Sequence, residues 1–199
     1  MAGAERRWYA GDHSTGRRFL GTGSDDGRHA ILAPVPDLAA LCKELELTWH
    51  RDIPLAAAMS IGVADYDGRT LTVRAPLPPN RNLHGSAFAG SLFSTCVLTG
   101  WGATWLALRE QDLTGTIVIA DSDIHYRKPV EGDLVCRCAP EADPLRSGLK
   151  QFKSTGRASF DLICAIDSGG KRAVTFTGKY VVHAPHAQPA ASTSSSPPS

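Results

Sequence analysis

The stretch GSAFAGSLFSTCVLTGWGATWLAL, residues 85–108, carries no charged side chain. Its length alone invites reading as a membrane span. Ser86, Ser91, Ser94, Thr95, Thr99 and Thr104 and several glycines interrupt it, however, and strand-like segments follow it. A helix that is apolar nearly all round is surrounded either by lipid or by protein. The flanking segments supply the protein. The expectation is therefore a buried helix from about Ser86 to Arg109. Trp101 and Trp105, four residues apart on one face, should fill a large part of the core.

Working outward, Pro36 and Asp37 open a shorter helix in which Leu38, Leu41 and Leu45 recur at helical spacing. Ile61–Tyr66 and Arg69–Ala75 alternate apolar and polar residues across Asp67-Gly68, a favoured two-residue hairpin turn. Pro76-Leu77-Pro78-Pro79-Asn80 then reads as a rigid loop that breaks the sheet. Beyond the long helix, strands are expected at Thr116–Tyr126, Leu134–Ala139, Gly156–Ile166 and Ala173–Val182. Lys128-Pro129 ends the first of them, and Ser168-Gly169-Gly170-Lys171 joins the last two. One uncharged helix among antiparallel strands predicts an α+β domain, with a curved sheet wrapped around the helix.

Composition sets the outer limits. The 199 residues are 42% hydrophobic and 21% charged, with a formal net charge of +1. That is an ordinary globular balance, and it lacks the basic excess of a nucleic-acid binder. Residues 1–35 are Gly- and Arg-rich without periodicity and read as a flexible arm; 36–183 form the domain, and 184–199 a low-complexity tail. No apolar signal segment opens the chain. The five cysteines, Cys42, Cys96, Cys136, Cys138 and Cys164, form no CxxC pair and read as reduced thiols of a cytoplasmic protein. No metal, redox cofactor, nucleic acid or membrane is implied.

Two segments carry a resemblance: Asn80-Arg81-Asn82-Leu83-His84-Gly85-Ser86-Ala87-Phe88-Ala89-Gly90-Ser91, followed by Trp101, and Ile117-Val118-Ile119-Ala120-Asp121-Ser122-Asp123-Ile124-His125-Tyr126-Arg127-Lys128-Pro129-Val130-Glu131-Gly132-Asp133. Over roughly residues 38–183 the chain resembles the YiiD C-terminal thioesterase family of the hotdog superfamily. The resemblance implies a hotdog fold, an acyl-thioester ligand on coenzyme A or acyl carrier protein, and a homodimer or a tetramer. Many hotdog thioesterases place an Asp or Glu on the central helix. Here Phe93 stands at that point, nine residues after His84, and no carboxylate occurs on the helix before Glu110.

Thioester hydrolysis needs an oxyanion donor, a group that orients or deprotonates water, and a groove for the acyl chain and thiol arm. Free N–H groups at the start of the long helix, beside Gly85 or Gly90, suit the donor; the same glycines equally suit close helix–sheet packing. His84 can serve as a base, or is an idle loop histidine. The amides of Asn80 and Asn82 can hold a water or a carbonyl, or simply form turns. Asp121 or Asp123 can stand in for the missing helix carboxylate. Simple alternation puts both acids and His125 on one face with Ile117 and Ile119. Alternatively, they face solvent or a subunit contact while Ala120, Ile124 and Tyr126 pack on the helix. The candidate catalytic residues are thus Asn82, His84 and Asp121, and the candidate substrate-binding residues are Asn80, Gly85, Ser86, Phe88, Gly90, Ser91 and Tyr126. Ser91 and Ser94 lack the Ser–His–Asp setting of a nucleophile. Arg127, Lys128, Lys150, Lys153 and Arg157 can meet the phosphates of coenzyme A or an acidic carrier protein. Three readings compete: a thioesterase, a non-catalytic acyl-thioester-binding module, and a dehydratase or hydratase built on His84 with Asp121.

Overall fold

Asp37 opens the first helix, its Oδ1 accepting from the N–H groups of Ala39 and Ala40 at 3.0 and 3.2 Å. The structure, a computed structural model, describes residues 37–185. The arm expected over 1–35, and the tail from residue 186 on, lie outside the described residues. Helix α1 (Leu38–Asp52) leads through α2 (Pro54–Ala58) into the hairpin β1 (Gly62–Tyr66) and β2 (Leu71–Ala75). Next come α3 (Leu77–Asn80), the long α4 (Ala89–Arg109), β3 (Thr116–Tyr126), β4 (Leu134–Cys138), α5 (Ala142–Thr155), β5 (Arg157–Ser168) and β6 (Lys171–His183).

The six strands form one antiparallel sheet in the order β1-β2-β4-β5-β6-β3. It curls around α4, which packs on β2, β3, β4, β5 and β6, while α1 covers another side. The apolar helix is thus the core of the domain, buried inside protein as its setting predicts. Its hydroxyls are satisfied internally: Thr95, Thr99 and Thr104 donate back to the carbonyls of Ser91, Thr95 and Gly100 at 2.7–3.0 Å. Close approach comes from glycine. A Cβ on Gly102 would stand 2.7 Å from the Trp49 ring of α1, and one on Gly100 would overlap the ring of Tyr180 on β6. Tyr180 in turn donates its hydroxyl to the Val97 carbonyl at 2.9 Å.

The large core residues are therefore Trp49, Phe176 and Tyr180 rather than the tryptophans of α4. Trp101 and Trp105 are only half-buried. The indole of Trp101 donates to the Ile117 carbonyl at 3.1 Å, and Trp105 lies under the Arg109 guanidinium, 5.3 Å from its ring centre. The tightest faces of α4 hold glycine and threonine, where no indole fits.

Three further expectations need correcting. Residues 77–80 form the short helix α3 rather than a loop, since prolines at its first positions supply the helical φ and need no N–H partner. Helix α4 begins at Ala89, not Ser86. Residues 142–155 form α5, which the sequence reading left without an element. Leu145, Leu149 and Phe152 face inward there, and Gly148 admits the Phe160 ring of β5.

Candidate active site

The loop from α3 to α4 is built by the amides that the sequence singled out. Asn80 is 1% exposed, and its Nδ2 donates to the carbonyls of Met59 and Pro76, both at 2.8 Å. Its own carbonyl accepts from the N–H of Phe88 at 2.7 Å. Asn82 closes a tight turn. Its N–H donates to the Ser86 carbonyl at 2.7 Å, and its Nδ2 to the Ser86 Oγ at 3.1 Å, while its Oδ1 accepts from the His84 N–H at 2.8 Å. The Gly85 N–H is spent on the Asn82 carbonyl at 3.1 Å, and Gly85 holds φ +84°. Gly85 therefore serves the turn and is not an oxyanion donor. The His84 ring stands exposed at the tip.

This turn delivers the chain to an uncapped helix. Phe88 occupies the N-cap position without a side-chain cap bond, and the first turn holds no acidic residue. Among the described residues, the N–H groups of Ala89, Gly90 and Ser91 find no acceptor; the first bond of the helix is Leu92 N–H to the Phe88 carbonyl at 3.0 Å. These orphan donors and the helix dipole are of the kind that can complement negative charge. The Phe88 ring lies over Gly90, where a Cβ would displace it. Ser91 is buried with its carbonyl engaged by Thr95, so it lines the base of the helix start rather than presenting a nucleophile. Tyr126 reaches the same place from β3, its hydroxyl donating to the Ala89 carbonyl at 3.1 Å. Burial pushes the Tyr126 phenol up, which keeps it a donor. Phe88 and Tyr126 are 55% and 47% exposed, so the helix start is flanked by apolar surface.

Strand β3 departs from simple alternation. Its pairing with β6 runs Ile119 with Tyr180 and then Asp121 with Lys179, so Ala120 is an extra residue, a bulge that shifts the register. Before the bulge, Ile117 and Ile119 lie opposite the buried Val182 and Tyr180. After it, Ile124 and Tyr126 lie opposite the buried Phe176 and Val174. Asp121, Asp123 and His125 consequently take the other face, away from α4. The expectation that they share a face with Ile117 and Ile119 fails because the bulge reverses the parity. Asp121 Oδ1 accepts from its neighbour Ser122 N–H at 2.8 Å, and His125 pairs with Asp123 at 2.9 Å. Asn82 and His84 thus share one loop, with Gly90, Ser91, Phe88 and Tyr126 beside it. Asp121 is not brought to them within the chain.

Two residues that the sequence reading passed over hold the site together. The Val130 carbonyl accepts from the Ala87 N–H at 2.8 Å, and Asp133 Oδ1 accepts from the Leu77 N–H at 2.9 Å. Asp133 also pairs with Arg74 of β2. The bond from Leu77 and the Arg74 guanidinium hold the Asp133 carboxyl below the ordinary aspartate range. The two motif segments therefore meet: the end of the second holds Ala87 within the first and Leu77 just before it. The signal was their co-occurrence, not the type of either residue. The thiols take no part, because Cys96, Cys136, Cys138 and Cys164 are all buried. Bonding to Cys136 and burial push the Cys96 thiol far up.

Comparison with known proteins agrees with this geometry. The family model described as "Putative thioesterase (yiiD_Cterm)" matches residues 42–184. A solved structure of a "putative thioesterase" from Shewanella oneidensis is 33% identical, with a TM-score of 0.65 over 74% of this chain and 99% of that one. A protein of unknown function from Chlorobaculum tepidum is 28% identical, with a TM-score of 0.72 over 74% and 96%. A Pseudomonas aeruginosa protein at 18% identity shares the fold, with a TM-score of 0.60 over 71% and 95%. A long buried helix inside an antiparallel sheet, the two braced motif segments and the family match place this chain in the YiiD C-terminal thioesterase family, with the hotdog fold.

Proposed function

We propose that this chain hydrolyses acyl thioesters of coenzyme A or acyl carrier protein at the start of α4. The observation that carries the reading is the set of orphan N–H groups at Ala89, Gly90 and Ser91, beside a turn that Asn82 holds rigid. The thioester carbonyl oxygen docks on these donors. Water attacks the carbonyl carbon, the C–S bond breaks, and the thiolate leaves with the proton that a base removed from the water. That base is assigned to His84, the exposed imidazole on the same loop, in place of the helix carboxylate of many hotdog thioesterases. Asn82 is a positioning residue, since its amide is already engaged within the turn. Asp121 is left out of the chemistry because the bulge turns it away.

The protein as proposed works as a cytoplasmic homodimer. Strand β3 is a sheet edge of 11 residues that exposes Val118 and Ile119. A long edge with apolar side chains calls for a partner, and two-fold pairing is the simplest closure. Sedimentation velocity at micromolar concentration tests this: a dimer is expected, and a monomer contradicts it.

The functional test is free-thiol release from acyl-CoAs of acetyl to palmitoyl length. Turnover above background is expected, lost by about 10²-fold or more in His84→Ala, reduced in Asn82→Ala and retained in Asp121→Ala. The absence of a carboxylate on α4 before Glu110 favours a second reading, a binding module. No turnover with any chain length or carrier, together with a thermal shift on adding acyl-CoA, would establish that reading instead.

A further inference from the structure

The C-terminal third of α4 faces a groove of about 540 Å³. Its floor includes Ala103 and Ala107, roughly 20–27 Å along the helix axis from Ala89 at about 1.5 Å per residue. The groove is therefore separate from the proposed thioester site. One bank is α5, which rests on β5 and is held close by Gly148. The opposite bank is the turn between β1 and β2. Leu145 and Leu149, a helical turn apart on α5, line the groove with the alanines.

The rim is mostly cationic. Arg146, Lys150 and Lys153 follow the edge of α5 at spacings of four and three, beside the leucines, and Arg69 stands on the opposite bank. Among the lining residues Glu110 is the one carboxylate, and the Tyr66 hydroxyl already donates to it. Lys153 Nζ donates to the neutral Gln111 at 3.0 Å, and Arg146 has only the exposed Asp143 at 3.6 Å. An apolar floor of about this volume with convergent cationic groups has the make-up of a small-molecule site. Floor and rim together select a ligand that is aliphatic at one end and anionic at the other.

We propose that this groove binds a monomeric amphipathic anion, with an unbranched aliphatic chain along Ala103, Ala107, Leu145 and Leu149 and an anionic head among Arg69, Arg146 and Lys150. The assignment does not depend on hydrolysis at the other end of α4. Decanoate is the probe, titrated into the full-length protein and followed by amide chemical shifts.

Saturable shifts at Ala103, Ala107, Leu145 and Leu149 are expected at millimolar concentration or below. Decanol and decyltrimethylammonium should bind at least tenfold more weakly. The double variant Arg146→Glu, Lys150→Glu, both exposed residues, should weaken decanoate at least tenfold while leaving thermal stability unchanged. Shifts confined to residues 86–91 would place the chain in the thioester site and overturn the proposal. So would no saturable binding by the full chain, or equal affinity for decanol. Vesicles containing phosphatidylglycerol separate the two sources of such a ligand. They should leave the protein in solution, and binding to them that decanoate does not displace would assign the groove to a membrane surface and overturn the monomer.

Discussion

At its C-terminal end α4 is tied down on several sides. Glu110 and Gln111 donate back to Leu106 and Leu108 at 2.9 and 3.0 Å, and Leu113 adds a second bond to Leu108 at 2.9 Å. The Glu110 carboxylate takes the Tyr66 hydroxyl, and Arg109 reaches Glu44 at 3.0 Å. The N-terminal end of the same helix has no side-chain cap, no acidic residue and three N–H groups without an acceptor, and its neighbours are aromatic. Helices in stable folds usually receive a cap worth about 1 kcal/mol. This one is completed by the chain's own groups at its C-terminal end and left open at its N-terminal end, where a ligand's carbonyl can complete it.

The comparison can be sharpened by substitutions along the helix, the largest effect first. Gly100→Val presses a side chain into Tyr180, which is fully buried and cannot swing clear. Overpacking of this kind costs about 1–3 kcal/mol or more, and chemical denaturation should show at least the upper part of that range. If Gly100→Val is neutral, the account of the helix as packed on the sheet through glycine is wrong.

Tyr66→Phe removes a bond at the closed end and should cost about 1 kcal/mol, lowering Tm while leaving thioester turnover unchanged. Loss of turnover would mean that the two ends are not independent. The same tyrosine carries a pH signature. Burial and the bond to Glu110 push its phenol well above the ordinary tyrosine value, and burial does the same to Tyr180. The unfolded chain therefore loses these protons first. Stability from this source is complete below about pH 10 and falls as pH rises beyond it. Denaturation midpoints from pH 8 to 11 should show this decline, shallower in Tyr66→Phe. The smallest effect belongs to Arg109→Ala. Its pair with Glu44 and its contact with Trp105 are partly exposed, so a loss below about 1 kcal/mol is expected in Tm.

Much of the fold was legible. A charge-free helix, an Asp-Gly hairpin and alternating strands leave few architectures open, and the strands were placed to within a few residues. Helix α5 is hard to see in the sequence although Leu145, Leu149 and Phe152 carry the period, because proline and a central glycine ordinarily interrupt a helical pattern. Those same features admit the helix: proline suits its first turn, and Gly148 makes room for Phe160. The core tryptophans were misjudged because residue size was weighed without the glycines beside them.

Within the site, Asn80 and Asn82 stood out by type and do organise the loop. The bulge at Ala120 left no local mark. One extra residue in a strand is invisible to a pattern of period two until its partner strand is known, and it decided where Asp121 points. The open helix start was likewise only half visible. Sequence suggests free N–H groups near Gly85 or Gly90; with the helix starting at Ala89 they are those of Ala89, Gly90 and Ser91, and the Gly85 N–H is engaged in the turn before it.

The most direct test of the open end removes one of its donors without removing a side chain. Proline is tolerated in the first turn of a helix, where its N–H has no intrahelical partner. Ala89→Pro, at the first helical position, where a Cβ already stands and the preceding Phe88 is extended, should therefore keep the fold. With the acyl-CoA that the wild-type protein turns over fastest, kcat should fall by about 10²–10³-fold while Tm moves by no more than a few degrees. An Ala89→Pro protein that releases thiol at the wild-type rate would contradict the account.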